Sequence, residues 1–344
     1  MTQPWLHTSA VAARPVSIRF DTFVVALLAV AALGAFFPVT GEAYRLLRVV
    51  SMVSIGLLFF LYGVRLSTAE TVAGLTNWKL HIAILTTTFA VFPLVGVALR
   101  EVIEPAVGAG LAAGFVLLCL VPSTVQSNVV FTRMAGGDTA AAVVAASLSN
   151  LIGVFLTPAL VALALSANAE VSTRSVVRII VQFLLPFVLG QIARPVLGGW
   201  VTRNDNWLKH VDRSSILLVV FLAFAAGTTA GVWSRVSISS IVVIAALCLA
   251  LLATACGWLV GLARLIGLAR PAGIALLFCG SNKSLATGLP MAAVLFAADD
   301  VALIVLPLMI YHQLQIITGG IIATRLSRLD SGGPHGGGRT GATR

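Results

Sequence analysis

Apolar residues dominate the chain in ten long runs that short polar stretches separate. Most runs are long enough to form a helix that crosses the hydrocarbon core of a bilayer, which takes about 20 residues. They cover approximately residues 20–37, 46–64, 79–99, 106–133, 139–165, 176–197, 214–233, 237–262, 271–297 and 300–323. The pattern predicts an all-α polytopic membrane protein with ten transmembrane helices.

The composition supports this class and excludes others. Of the 344 residues, 59% are apolar and 10% are charged, whereas a soluble domain has about 25% charged residues. The four cysteines lie inside apolar runs and form no C-x-x-C pair, which argues against a disulfide framework or a zinc site. The basic residues are scattered rather than gathered on one face, which argues against a nucleic-acid partner. We expect the lipid bilayer as a partner and no cofactor.

The distribution of lysine and arginine predicts the orientation. With the amino terminus in the cytoplasm, 15 of these residues fall on the cytoplasmic side and six on the outer side. Such an excess is typical of cytoplasmic loops, so we expect a multi-pass protein of the cytoplasmic membrane with both termini inside. Residues 1–17 and the glycine-rich residues 326–344 are predicted to be disordered cytoplasmic tails that flank a membrane domain over 18–325.

The two halves of the chain show a matching interruption. Five runs lie on each side of a loop near 167–173, so the halves, about 20–165 and 176–323, would enter the membrane in opposite orientations. The fourth and ninth runs are each broken by polar residues that include a Ser-Asn pair, in PSTVQSN at 122–128 and GSNKS at 280–284. This predicts a 5+5 inverted repeat with two broken helices that cross near the membrane midplane.

Broken helices predict a polar site, because unpaired backbone groups are tolerated in a membrane only where protein or water satisfies them. Ser and Asn oxygens there can coordinate a small cation, and half-helix amino termini attract an anion. The candidate substrate- or ion-binding residues are Ser127, Asn128, Ser281, Asn282 and Ser284, together with Ser147 and Asn150 on one face of the next helix. The alternative interpretation is hydrogen bonding between neighbouring helices.

Two titratable residues inside the runs are candidates for proton transfer. Lys283 is central in the ninth run, where a charge costs roughly 2.5–3.5 kcal/mol on insertion scales. Since removal from water penalises its charged form, Lys283 is a candidate proton carrier, or a tethered cation in a site that elsewhere holds a metal ion; the alternative is a lysine that snorkels to the interface. His312 in the tenth run is either a structural histidine or part of a proton relay.

Several motifs resemble the bile acid:sodium symporter family. PSTVQSN at 122–128 is similar to that family's first broken helix, and NLIGVFLTP at 150–158 to the helix that follows. The stretches FCGSNKSLATGLPMAAVLF at 278–296 and LPLMIYHQLQI at 306–316 are closer to a divergent branch, similar to bacterial members and to solute carrier family 10 member 7. The resemblance implies a core domain of segments 3 to 5 and 8 to 10, and a panel domain of segments 1, 2, 6 and 7.

The resemblance also implies a sodium ion near Asn128 and Asn282. The positions at or near the family's sodium sites are Ser127, Asn128, Asn282 and one of Ser147 and Asn150. The chain departs from the family at the second break, where Phe278 or Cys279 replaces a Glu, and Asn282 and Lys283 replace Gln and Asn. An ammonium beside neutral oxygens makes a poor sodium site, which argues against the sodium coupling that the resemblance implies. The sequence therefore leaves two candidate coupling ions, sodium and a proton.

The leading functional prediction is a secondary active transporter that moves an organic anion, bile-acid-like or otherwise carboxylated, by alternating access. The chain has no GxGD aspartate pair and no G-x-S-x-G elbow, so we do not expect an enzyme. The alternative is a non-transporting membrane regulator of ion or solute homeostasis.

Overall fold

The computed structural model of the protein describes residues 22–65, 77–165 and 180–331. Within these ranges the chain is helical and has no β-strand. The helices are α1 (Thr22–Phe36), α2 (Gly41–Arg65), α3 (Trp78–Val107), α4 (Ala109–Leu120), α5 (Gln126–Met134), α6 (Thr139–Leu165), α7 (Leu185–Arg203), α8 (Asp205–Thr229), α9 (Ile238–Leu265), α10 (Arg270–Ser281), α11 (Leu285–Leu295) and α12 (Ala298–Ser331). The predicted tail at 1–17 and the loop near 167–173 lie outside the described residues.

Seven of the described helices are long and apolar enough to cross a membrane. They are α2, α3, α6, α7 with its preceding π-helical turn (Ile180–Leu184), α8, α9 and α12. The three other predicted segments contain shorter helices: α1 alone, α4 with α5, and α10 with α11. The protein is therefore a multi-pass, all-helical membrane protein, while the count of ten spans and the inverted repeat stay predictions.

Helices α1, α2, α7 and α8 pack on one another, α2 against α7 and α8, and α1 against α8. Glycine lets α2 and α7 approach closely. A Cβ added to Gly63 would collide with the carbonyl oxygen of Phe187, and one added to Gly190 with that of Phe60. Small residues allow such backbone contact between membrane helices. These four helices correspond to the segments of the expected panel domain.

The remaining helices surround the two interruptions. Helix α4 packs against α3 and α12, while α10 packs against α5, α6 and α9. Helix α6 touches the first interruption directly, because a Cβ added to Gly153 would lie 2.8 Å from Pro122. Residues 121–123 of the first interruption and residues 282–284 of the second are buried among these helices.

Helix α12 extends beyond the predicted domain boundary at 325, as far as Ser331. The apolar spacing continues, since Ile322 and Leu326 pack against the buried Ala323 cluster. In addition, Arg270 donates a hydrogen bond to the Leu326 carbonyl oxygen at 3.2 Å. These contacts explain why residues 326–331, which the sequence assigns to the tail, are helical.

Candidate functional site

The first interruption lies between Leu120 and Gln126, where Pro122 has no N–H to continue the helix. The exposed backbone groups find side-chain partners on α6. Thr157 Oγ1 donates to the Leu120 carbonyl at 2.9 Å, and Asn150 Nδ2 donates to the Ser123 carbonyl at 2.8 Å. The Ser123 N–H donates to Ser149 Oγ at 3.0 Å. The interrupted helix predicted for this segment is confirmed, and α6 satisfies its backbone.

The second interruption is shorter and leaves residues 282–284 non-helical. Ser284 caps α11, its Oγ accepting from the Thr287 N–H at 3.2 Å. Tyr311 on α12 donates through its hydroxyl to the Ser281 carbonyl at 2.7 Å. The interruption predicted here is also confirmed, and its backbone is held from α12.

The two interruptions touch each other. The Ser284 N–H donates to the Pro122 carbonyl at 2.8 Å, and Ser123 Oγ donates to the Cys279 carbonyl at 2.6 Å. Residues 154 or more positions apart in sequence thus share direct hydrogen bonds between the two halves. The chain brings its two broken segments together at one place.

A chain of amide side chains crosses this contact. Asn282 Nδ2 donates to Asn128 Oδ1 at 2.7 Å, and Asn128 Nδ2 donates to Ser123 Oγ at 2.8 Å. Thr287 Oγ1 donates to Asn150 Oδ1 at 2.9 Å. The three predicted asparagines therefore lie at one site, as the Ser-Asn pairs indicate.

Lys283 is fully buried at the same place, with 0% of its surface exposed. Its Nζ donates to three main-chain carbonyl oxygens, those of Thr88 at 3.2 Å, Cys119 at 3.3 Å and Val121 at 3.2 Å. The ammonium also lies 4.0 Å from the ring centroid of Phe92, within the range of a cation–π contact. We call these three carbonyls and the ring the carbonyl nest. Lys283 does not reach an interface, so the snorkelling interpretation is wrong.

The geometry of the backbone explains why these carbonyls are available. Cys119 and Val121 lie at the carboxyl end of α4, where helix carbonyls lose their intrahelical partners and carry partial negative charge. Thr88 lies in a π-helical turn of α3 (Thr87–Val91), in which the Phe92 N–H reaches back to Thr87. The next donor would be residue 93, a proline without an N–H. The ammonium thus supplies a donor that the backbone lacks.

The other predicted site residues make fewer contacts. Ser281 Oγ donates to the Leu277 carbonyl within its own helix. Ser127 Oγ is buried without a hydrogen-bond partner among the described residues. Ser147 takes no part in the hydrogen bonds of the site, and Ser149 on the same helix does. Sequence reasoning missed Ser123, Ser149 and Thr287, although the neighbouring Pro122 marks the interruption in which Ser149 serves the Ser123 N–H.

His312 lies one helical turn before Gln315 on α12, and its Nδ1 is 2.9 Å from Gln315 Nε2. The two residues therefore lie on one face of α12. Gln315 in turn contacts the Lys283 backbone. Within the described ranges, no cluster of three or more His, Cys, Asp or Glu side chains is arranged to hold a metal ion.

A separate cavity of about 120 Å³ lies at the end of the bundle where α2 begins and α11 ends. Tyr44, Arg48 and Gln182 line it beside residues of α8, α11 and α12. None of the ion pairs in the described part of the chain involves Arg48. The Arg48 guanidinium in this cavity therefore has no carboxylate ion-pair partner among the described residues.

Comparison with known proteins gives a coherent picture. The model of the SBF-like CPA transporter family matches residues 21–328. Relatives include the uncharacterized protein PA2026 of Pseudomonas aeruginosa, 43% identical over 90% of this chain and 93% of that protein, and YfeH of Escherichia coli, 41% identical over 90% and 93%. Sodium/bile acid cotransporter 7 of Rattus norvegicus is 28% identical over 89% of this chain and 92% of that protein.

Proposed function

Because the chain belongs to the SBF-like CPA transporter family, we propose that it is a secondary active transporter of an organic anion. It works by alternating access in the cytoplasmic membrane, with ten spans arranged as a 5+5 inverted repeat, and couples transport to sodium or to protons. The observation that carries the proposal is the direct contact between two interrupted segments around the buried Lys283. Irregular backbone at membrane depth is a common feature of transporter binding sites.

The cavity beside Arg48 supports an anionic substrate. A guanidinium without a carboxylate partner attracts a carboxylate, which it can bind through two parallel hydrogen bonds. The cavity lies between α2 and α8 on one side and α11 and α12 on the other. Movement of one group of helices relative to the other would open and close it, which is the motion that alternating access requires.

The contacts of Lys283 favour protons over sodium as the coupling ion. The Lys283 ammonium already places a positive charge on the first interruption, 3.2 Å from the Val121 carbonyl oxygen, which disfavours a second cation where the two interruptions meet. The amide oxygens Asn128 Oδ1 and Asn150 Oδ1 also each accept a hydrogen bond already. The related protein of Rattus norvegicus is named sodium/bile acid cotransporter 7. The experiment therefore compares sodium with protons.

The test is uptake of labelled carboxylates, from acetate to cholate, by proteoliposomes with a proton gradient alone or a sodium gradient alone. We expect uptake of at least one carboxylate to respond to the proton gradient more strongly than to sodium, and Lys283→Ala to abolish the response. Lys209→Ala is the matched control, because Lys209 lies at one end of α8 and pairs with Asp205. Strict sodium dependence, with Lys283→Ala transporting normally, would contradict proton coupling.

A further inference from the structure

Gln315 on α12 pairs with both main-chain polar groups of Lys283. Its Oε1 accepts from the Lys283 N–H at 2.7 Å, and its Nε2 donates to the Lys283 carbonyl at 2.9 Å. One planar amide thus makes the two contacts that a neighbouring β-strand would make. Gln315 and Lys283 are both 0% exposed, so bulk water cannot replace either hydrogen bond.

The pairing is needed because Lys283 lies between two helix ends. Its neighbours are in extended conformations, Asn282 with φ −83° and ψ 143°, and Ser284 with φ −82° and ψ 105°. A residue in this position has no helical partner for its N–H or carbonyl, and unpaired groups at membrane depth are costly. Gln315 supplies both partners from a different helix.

The extended backbone decides where the side chains of the second interruption point. Successive side chains of an extended segment lie on opposite sides. Asn282 accordingly contacts Asn128, while Lys283 contacts Thr88 and the end of α4. A helical turn at residue 283 would not place the two side chains on opposite sides in this way.

His312 lies against the amide nitrogen of Gln315. Gln315 Nε2 is 2.9 Å from His312 Nδ1 and 2.9 Å from the Lys283 carbonyl. An amide NH₂ group has two hydrogens, one for each of these acceptors. A flipped amide would place its oxygen against the Lys283 carbonyl, so the Lys283 backbone sets the orientation of the Gln315 amide, and the His312 tautomer with an unprotonated Nδ1 accepts the second amide hydrogen.

We propose that Gln315 is a positioning residue for the transport site. Its amide holds Lys283 extended, directs the ammonium into the carbonyl nest and leaves the Asn282 amide facing Asn128. The inference rests on the proposed transport function insofar as the nest and the asparagine pair belong to the transport machinery. The pairing itself can be tested without any transport measurement.

The first test measures the accessibility of the Lys283 amine. The chain has three lysines, Lys79, Lys209 and Lys283, so reductive methylation of the full-length protein in detergent reports on each by peptide mass spectrometry. We expect Lys79 and Lys209 to react in the wild type while Lys283 reacts at least about tenfold less. Gln315→Met has a similar size without hydrogen-bonding groups, and it should raise methylation of Lys283 at least about tenfold in protein that elutes as a single folded species.

The second test uses Gln315→Glu, which restores the pairing only when protonated. A neutral carboxyl group accepts from the Lys283 N–H and donates to the Lys283 carbonyl, whereas a carboxylate cannot donate. Transport and apparent melting temperature of this variant should therefore approach the wild type at acidic pH and fall as the pH rises. Gln313→Glu is the matched control, because the Gln313 amide nitrogen has no hydrogen-bond partner in the described structure.

The outcomes separate this inference from the proposed function. Equal protection of Lys283 in the wild type and in folded Gln315→Met overturns the positioning role, and so does a Gln315→Glu profile that matches that of Gln313→Glu. If Gln315→Met does not fold, the pH profile of Gln315→Glu decides. If the wild type transports none of the carboxylates, the proposed function fails, while methylation and the pH dependence of melting still decide whether Gln315 positions Lys283.

Discussion

The Lys283 ammonium has three hydrogens, and the carbonyl nest offers it three main-chain oxygens at 3.2–3.3 Å. This match favours the charged form of the lysine in the described conformation, because a neutral amine would leave one carbonyl without a donor. A tethered cation that loses its proton would therefore loosen the contact between α3 and the end of α4.

Lys283→Ala is expected to lower the apparent melting temperature. Each buried carbonyl left without a donor costs about 1–3 kcal/mol. Because the substitution leaves space for the missing part of the side chain, propylammonium chloride should raise the melting temperature of the variant while leaving the wild type unchanged. Propanol at equal concentration is the control, since it fills the space without the charge. Equal effects of propanol and propylammonium would show that the nest does not select a cation.

At this scale the sequence predicts the asparagines and Lys283 but not their partners. Asn128, Asn282 and Lys283 stand out because polar and charged residues are rare in apolar runs. The acceptors of Lys283 are main-chain oxygens of Thr88, Cys119 and Val121, and any residue type provides such an oxygen. Only Pro93 and Pro122 signal that helix carbonyls nearby lack donors.

Helix α6 determines the position of the first interruption. It supplies Ser149, Asn150 and Thr157 to the exposed backbone, and Gly153 lies between these residues against Pro122. A spacing of three to four residues puts hydrogen-bonding side chains and the glycine on one face of the helix. The absence of a side chain at residue 153 therefore lets the helix approach the broken segment closely enough for these bonds to form.

Gly153→Ala should destabilise the protein by about 1–3 kcal/mol, because the added methyl would lie 2.8 Å from Pro122 and overpack the contact. Gly257→Ala on α9 is the matched control, since a Cβ there meets nothing within 4 Å. In a helix interior that change should be neutral or stabilise by about 0.5–1 kcal/mol. Apparent melting temperatures in detergent check both. A Gly153→Ala variant as stable as Gly257→Ala would mean that α6 and Pro122 can separate without loss.

The sequence predicts the interruptions at the scale of elements because proline and clustered polar residues are strong local signals. It does not predict the π-helical turn in α3, where an apolar run continues across Thr87–Val91 without a break in hydropathy. The sequence also predicts too early an end for α12. Apolar residues become sparse after residue 325, yet Leu326 still packs against neighbouring helices. Both features depend on tertiary contacts that hydropathy does not record.

At the scale of the whole molecule, each half of the chain supplies part of the hydrogen-bonded site where the two interruptions meet. Ser123, Asn128 and Asn150 belong to the first half, and Lys283 and Gln315 to the second. If the halves are related as an inverted repeat, the two broken segments run in opposite senses and meet at the membrane centre. The arrangement requires an odd number of spans in each half, which fixes both termini on the same side.

The orientation of the termini is therefore the measurement that tests the whole-molecule model. With the termini in the cytoplasm, 15 basic residues lie on the cytoplasmic side and six on the outer side, and this excess predicts that both termini are cytoplasmic. A green fluorescent protein fused to either end should fluoresce in bacterial cells, while an alkaline phosphatase fused to either end should be inactive, because the enzyme needs the oxidising periplasm to form its disulfides. A phosphatase fusion after residue 100, between the third and fourth predicted segments, is the positive control and should be active. Termini on opposite sides would exclude an even number of spans, and termini that are both periplasmic would reverse the charge rule for this chain.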